Sequence, residues 1–207
     1  MKPLLLIVGL SGALAALLSG CNMHPTQASA PTTFIDMHEF GPGKVTAADV
    51  AKAHEADLAV QADHDVRFIE YWVDEARGRV YCLSEAPNAE AVRETHRHAH
   101  GLLPTQVAAV ASGIPAPRDA GHKTTLYLDV HELGAGKVTA EAVAEAHEKD
   151  LAVQDRFAVR FLNYWVDEAS GRVYCLSEAP NAQAVRETHR HAHGLLPASV
   201  APVTRGE

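Results

Sequence analysis

Apolar and polar residues alternate from Thr33 to Phe40, a period of two that predicts a β-strand, and Gly41-Pro42-Gly43 predicts the turn that ends it. The period then lengthens to that of a helix. Thr46 is placed to cap it, with Asp49 three residues on, and the pattern carries the helix to about Ala62. Val66 to Val73 and Arg79 to Glu85 concentrate β-branched and aromatic residues, and the DEARG segment between them suits a hairpin. Asn88 starts a second helix that runs through about Ala99, with Gly101 as its stop, and Gln106 to Val110 predicts a last short strand. The order βαββαβ is the split βαβ, or ferredoxin-like, arrangement of the α+β class.

The whole pattern then returns. Asp36-Met37-His38-Glu39 recurs as Asp129-Val130-His131-Glu132 at an offset of 93 residues, and His96 recurs as His189 at the same offset. From Tyr71 to Pro104 the two copies differ only at Arg77 against Ser170 and Glu90 against Gln183. The chain therefore divides into repeat 1 at 32–111, a linker at 112–123 and repeat 2 at 124–204. Sheets of this kind pair face to face into an α+β barrel, usually between two chains. A tandem repeat predicts the same barrel as an intramolecular pseudo-dimer, with no second chain required. Copies this similar say little about function by agreeing, so the differences carry more. Asp63-His64-Asp65 becomes Arg156-Phe157-Ala158, which places His64 in a loop with no shared role.

The N-terminus has the layout of a secretory leader: Lys2, an apolar stretch from Leu4 to Leu18, then small residues before Cys21. Leu18-Ser19-Gly20-Cys21 resembles the lipobox of bacterial lipoproteins. That resemblance implies a signal peptide at 1–21, with Cys21 as the lipidated residue, a polar tether at 22–31 and a lipid anchor in the membrane. The location expected is the cell envelope, on the periplasmic side of the inner or outer membrane. The formal net charge is −8 and the 18 Lys and Arg are scattered, which argues against nucleic acid as a partner. Histidine stands out, with 13 in 207 residues.

Successive helical residues are separated by about 100° around the axis, so each histidine can be assigned a face. In the first helix Val50, Ala53 and Leu58 mark the apolar side, and His54, Asp57 and Gln61 fall on it. A carboxylate there needs a partner. The simplest within reach of Asp57 is His54, three residues away. In the second helix His96 shares the inner face with Val92 and Thr95, His100 lies one turn on at its edge, and His98 points outward. His96 and His100 have the i, i+4 spacing that lets two imidazoles reach one ion. On the first strand Ile35 and Met37 share one face and Phe34, Asp36, His38 and Phe40 the other. The all-apolar pair is expected to meet the helices, which turns Asp36 and His38 toward the partner repeat.

Two readings stand for these groups: ligands of a divalent metal, or a buried hydrogen-bonded pair orienting two helices. Cys82 and Cys175 are read as buried small hydrophobes. A disulfide between them requires Cα atoms within about 7 Å, and thiolate ligation is a third option. Tyr71-Trp72 and Tyr164-Trp165 are expected in the core or the sheet interface, and His24 and His122 fall in linkers. No nucleophile elbow, phosphate loop, haem-attachment CxxCH or paired-cysteine zinc motif is present.

Four strings stand together in each copy: DxHE on the first strand, VTAxxVAxAHExDLAVQ on the first helix, YWVDE…GRVYCLSEAP on the hairpin and HRHAHGLLP at the end of the second helix. Over Thr33–Val107 and Leu126–Val200 they resemble a bacterial family of small ferredoxin-like domains, formerly a domain of unknown function, some of whose members are described as nickel-binding. The resemblance implies a nickel or related divalent site built by imidazoles near the interface of two domains. The tandem form and the leader depart from that family, whose members are typically single domains that pair.

The reading that results is a cell-envelope protein binding a divalent metal, nickel preferred by resemblance, with zinc or copper allowed by ligand chemistry. Its candidate ligands are His38, His54, Asp57, His96 and His100 in repeat 1 and His131, His147, Asp150, His189 and His193 in repeat 2. Two alternatives belong to other classes. One is a dimeric-barrel enzyme, a small monooxygenase or isomerase using the His–Asp pair; the other is a non-catalytic envelope interaction module.

Overall fold

The structure is a computed structural model that describes residues 31–115 and 125–207. The proposed signal peptide with Cys21, nearly all of the tether, the latter part of the linker, and His24 and His122 lie outside the described residues.

Repeat 1 contains β1 (Thr32–Glu39), α1 (Ala47–Val60, prolonged by a 3-10 turn at Gln61–His64), β2 (Arg67–Asp74), β3 (Arg79–Ala86), α2 (Ala89–Ala99) and β4 (Gln106–Ala109). After a short β5 (Ala111–Ser112), repeat 2 gives β6 (Thr125–Glu132), α3 (Ala140–Val153, with a 3-10 turn at Gln154–Phe157), β7 (Arg160–Asp167), β8 (Arg172–Ala179), α4 (Ala182–Ala192), β9 (Ser199–Pro202) and β10 (Thr204–Gly206). Local chemistry sets the boundaries. Thr46 and Asp49 form a reciprocal capping box at the start of α1, whereas Thr139 caps α3 alone because Ala142 replaces the acid. Asn88 and Asn181 cap α2 and α4, which stop at Gly101 and Gly194 with φ of +77° and +80°. Gly78, at φ +66°, turns the β2–β3 hairpin so close to Gly41 that a Cβ would lie 1.8 Å from its carbonyl oxygen.

The strands form two five-stranded sheets in the orders β10-β2-β3-β1-β4 and β5-β7-β8-β6-β9. One edge of each sheet is completed by the other repeat. The chain leaves β4 through Val110 and enters the second sheet as β5, where Ala111 pairs with Val166; it leaves β9 through Val203 and enters the first sheet as β10, where Thr204 pairs with Val73. This exchange closes the two sheets into a single α+β barrel within one chain.

Three apolar layers result. The central one lies between the sheets and holds Ile35, Trp72, Tyr81 and Leu83 against Leu128, Trp165, Tyr174 and Leu176, with the two indoles 4.9 Å apart. The outer two lie between each sheet and its helices: Phe34, Val50, Tyr71, Cys82 and Val92 in repeat 1, and Tyr127, Val143, Tyr164, Cys175 and Val185 in repeat 2. The face assignment of β1 is therefore the reverse of the one expected from sequence. Ile35 and Met37 point into the central layer, and Asp36 and His38 face the helices. Two sheets closing on each other demand the driest face of each strand. The helix side tolerates polar groups because α1 and α2 bring their complements. Leu58, expected on the apolar side of the first helix, is 40% exposed. Among the described residues no helix is long and apolar enough to cross a membrane.

Candidate metal centre

Within repeat 1, strand β1 and the two helices deliver five polar side chains to the layer beneath the helices, and they form an alternating chain. His38 Nε2 lies 3.2 Å from Asp36 Oδ1, and His96 Nε2 lies 3.4 Å from Asp36 Oδ2. On its other side His96 Nδ1 approaches Asp57 Oδ1 at 2.9 Å, and His100 Nε2 approaches the same oxygen at 3.2 Å. Repeat 2 repeats the arrangement with His131, Asp129, His189, Asp150 and His193, the His189–Asp150 contact being 3.0 Å. Asp36 and Asp129 are fully buried, and His96 and His189 are 1% exposed.

Burial alone disfavours every charge here, yet the charges stabilise one another. Burial works against a proton on His96, but the Asp36 and Asp57 carboxylates outweigh it and raise its pKa to about 10; His189, between Asp129 and Asp150, is likewise raised to about 10. Burial would raise Asp57, but hydrogen bonding to His100 and His96 takes it down to about 2. Asp129 is also lowered to about 2, against its burial, by His189 and His131. Burial, reinforced by the neighbouring Asp36 carboxylate, pushes the Cys82 thiol well up.

Pairing is nevertheless incomplete. Both carboxylate oxygens of Asp36, and His96 Nε2 facing them, are buried without a hydrogen bond, as are the same atoms of Asp129 and His189. Native proteins rarely leave such atoms unmatched. Several donors converge there. Atoms from Asp36, His38 and His96 lie within 4.8 Å of one another, and in repeat 2 the corresponding set of Asp129, His131 and His189 also includes Cys175. A second set on the other edge of the shared imidazole comprises Asp57, His96 and His100, or Asp150, His189 and His193. Imidazole, carboxylate and thiolate are the donors a borderline divalent cation takes, so the residues present fit a metal.

The structure thus unites His38, Asp57, His96 and His100, and their counterparts His131, Asp150, His189 and His193. His54 and His147 stand beside these sets but in neither. The His54 ring packs against Tyr71 and Phe68, with centroids 4.7 and 5.6 Å away, and His147 does the same with Tyr164 and Phe161. Asp57 is satisfied across the helix pair by His96 and His100; among the described residues no hydrogen bond joins it to His54. Gln61 instead accepts from the Phe68 amide at 2.8 Å.

Asp36 and Asp129 are absent from the sequence-derived ligand set, although the alternation that puts them on one face with His38 and His131 was the available signal. Strand register places Cys82 and Cys175 opposite Asp36 and Asp129, and of the two only Cys175 joins a donor set. Both are free thiols in outer layers on opposite sides of the central core, which excludes a disulfide between them. The centres also lie inside each repeat and not at the interface that the resemblance implied. His64, without a counterpart, has its Nε2 3.4 Å from His98 Nδ1; in repeat 2 the Phe157 ring packs tilted against His191, with centroids 5.1 Å apart.

The family described as nickel responsive protein SCO4226-like matches the chain twice, at residues 34–110 and 127–203. Among solved structures, SCO4226 from Streptomyces coelicolor A3(2) is 38% identical over 42% of this chain and 99% of its own, with a TM-score of 0.35. A monooxygenase-like protein from Lactobacillus acidophilus NCFM is 14% identical over 85% of this chain and 94% of its own, at a TM-score of 0.44. A mutant chlorite dismutase from Candidatus Nitrospira defluvii is 9% identical over 88% and 93%, at 0.48. No curated protein matches the chain.

Proposed function

The chain belongs to the nickel responsive SCO4226-like family, and on that premise we propose that it binds one divalent metal ion per repeat, nickel by preference, in the buried Asp–His cluster. The observation that carries this reading is the unmatched trio of Asp36 Oδ1, Asp36 Oδ2 and His96 Nε2, repeated at Asp129 and His189. A divalent ion there takes the place of the His96 Nε2 proton and gives the Asp36 oxygens the cation that they face without a hydrogen bond.

In this assignment Asp36, His38 and His96 hold the ion in repeat 1, and Asp129, His131, His189 and Cys175 hold it in repeat 2. Asp57 then has a supporting role. It accepts the Nδ1 proton of His96 at 2.9 Å, which fixes the tautomer and leaves Nε2 to face the metal. His100 in turn holds Asp57 in place. The bound ion supplies a concentrated positive charge that replaces the imidazolium proton; sensing or storage of the metal follows most directly from ligands so buried. Zinc and copper suit the same donors.

We further assign the protein to the cell envelope, anchored through lipid on Cys21, because the apolar leader ends in Leu18-Ser19-Gly20-Cys21. Metabolic labelling with a radioactive fatty acid should mark the wild-type chain and not C21S; equal labelling of both would overturn the anchor.

Calorimetric titration of the metal-free chain with nickel, zinc and copper tests the binding. The expected result is two ions per chain, with both sites lost in the H96A/H189A double variant. Failure to bind, or undiminished binding by that variant, would refute the assignment.

A further inference from the structure

The two centres occupy near-identical sequence, yet they differ in two independent respects. In repeat 2 four donors converge, Cys175 joining Asp129, His131 and His189; in repeat 1 only three do, because Cys82 does not come within the same radius. The space beside them differs too. A cavity of about 170 Å³ adjoins the repeat 1 centre and is bounded by His38, His96 and Cys82 at its base. The cavity at the equivalent place in repeat 2 measures about 40 Å³. The larger one runs out past Val45 and Asp49 to Lys44; the lining of the smaller does not reach the equivalent Val138, Ala142 and Lys137. Sequence differences border this space: Phe40 stands against Leu133 and Asp49 against Ala142.

Four converging donors with little free space describe a closed metal site, whereas three donors beside an accessible cavity describe one with a free coordination position. We infer that the repeat 1 centre accepts an exogenous ligand, a small organic carboxylate with an apolar body, while the repeat 2 centre is closed. The inference rests on the proposed metal binding. The ligand class follows from the walls. Phe40, Val45, Val50 and Leu102 supply apolar surface, and Lys44 places a cation at the outer end; of the carboxylates in the wall, Asp49 is held by the Thr46 cap and Asp57 by His96 and His100, so a divalent ion held by the single carboxylate of Asp36 retains positive charge at the inner end.

The full chain loaded with cobalt(II), whose visible bands report its coordination, provides the test, with benzoate as the probe ligand. Cobalt stoichiometry is measured first, and benzoate is then titrated. The expected result is two cobalt ions per chain, of which half respond to benzoate. Ala53, half-buried on α1, lines the repeat 1 cavity, and A53L should weaken the benzoate response at least about tenfold by filling space. The matched A146L variant in repeat 2 should leave it intact, as should the cobalt stoichiometry of both variants. Far-ultraviolet circular dichroism checks that each variant is folded; if A53L is not, L102W, at a 47% exposed rim position, takes its place. Two bound cobalt ions that both respond, or neither, or a response lost in A146L, would overturn the inference while leaving metal binding in place. A chain that binds no cobalt or nickel would remove both.

Discussion

His96 Nδ1 and Asp57 Oδ1 meet at 2.9 Å across the gap between α2 and α1, joining residues 39 positions apart in a layer where both side chains are almost wholly buried. Because His96 also faces Asp36, a single imidazole ties both helices to the sheet. Replacing it with alanine leaves buried Asp36 with His38 alone and Asp57 with His100 alone, and removing one partner of a buried ion pair costs about 3 to 5 kcal/mol. Urea denaturation of metal-free H96A should show a loss of that order. H54A, which removes only ring packing against Tyr71 and Phe68, should lose less.

The same network gives metal-free stability a defined pH dependence. The pKa of His96 rises from 6.5 to about 10 on folding, so its contribution is fully present below pH 6.5 and is lost as pH rises through about 10. Asp57 falls from 3.8 to about 2, so its contribution is present above pH 3.8 and is lost as pH falls through about 2. Urea midpoints measured across pH should therefore form a plateau between pH 3.8 and 6.5, declining toward alkali above it and toward acid below it. A midpoint that climbs from pH 6.5 to 10 would contradict the assigned charges.

Thiolate ligation is expected in one repeat only. The nickel-loaded chain should show a near-ultraviolet sulfur-to-metal charge-transfer band that disappears in C175S and survives in C82S, since only Cys175 lies within the converging donor set. Equal dependence on both cysteines, or on neither, would argue against the assignment of Cys175 alone as a ligand.

One of the two seams that close the barrel depends on a three-residue strand. Removing residues 203–207 deletes β10, exposes the edge of β2 from Tyr71 to Val73 and removes the Arg205–Glu70 ion pair. An unprotected edge invites pairing with another chain. Size-exclusion chromatography with light scattering should show the truncated protein self-associating under conditions where the intact chain does not.

Most of the architecture was legible in the sequence because it depends on local chemistry and on the repeat. The capping box of Thr46 and Asp49, the asparagine caps and the strand alternation each settle one element without long-range information. His96 was legible as an inward-facing residue for the same reason: its helix is strongly two-faced. What failed was the question of which layer each face meets. Ile35 and Asp36 alternate clearly, but alternation does not say whether the apolar side meets helices or another sheet, and that choice depends on how tightly the two repeats close. The choice of His54 as the partner of Asp57 failed similarly. Spacing along one helix ranks near neighbours first, whereas α2 supplies two imidazoles from another element. Cys175 became part of the repeat 2 centre only through its register opposite Asp129, which no local pattern encodes.

The central claim is that metal occupies the buried cluster and not the exposed histidines, and anomalous diffraction at the nickel edge from crystals of the nickel-loaded chain tests it most directly. The account predicts one strong peak in each repeat, among Asp36, His38 and His96 and among Asp129, His131, Cys175 and His189. Peaks confined to surface sites such as His64 and His98, with His96 still paired to both carboxylates, would contradict it and leave the buried cluster as an ion-pair network that holds helices to sheet.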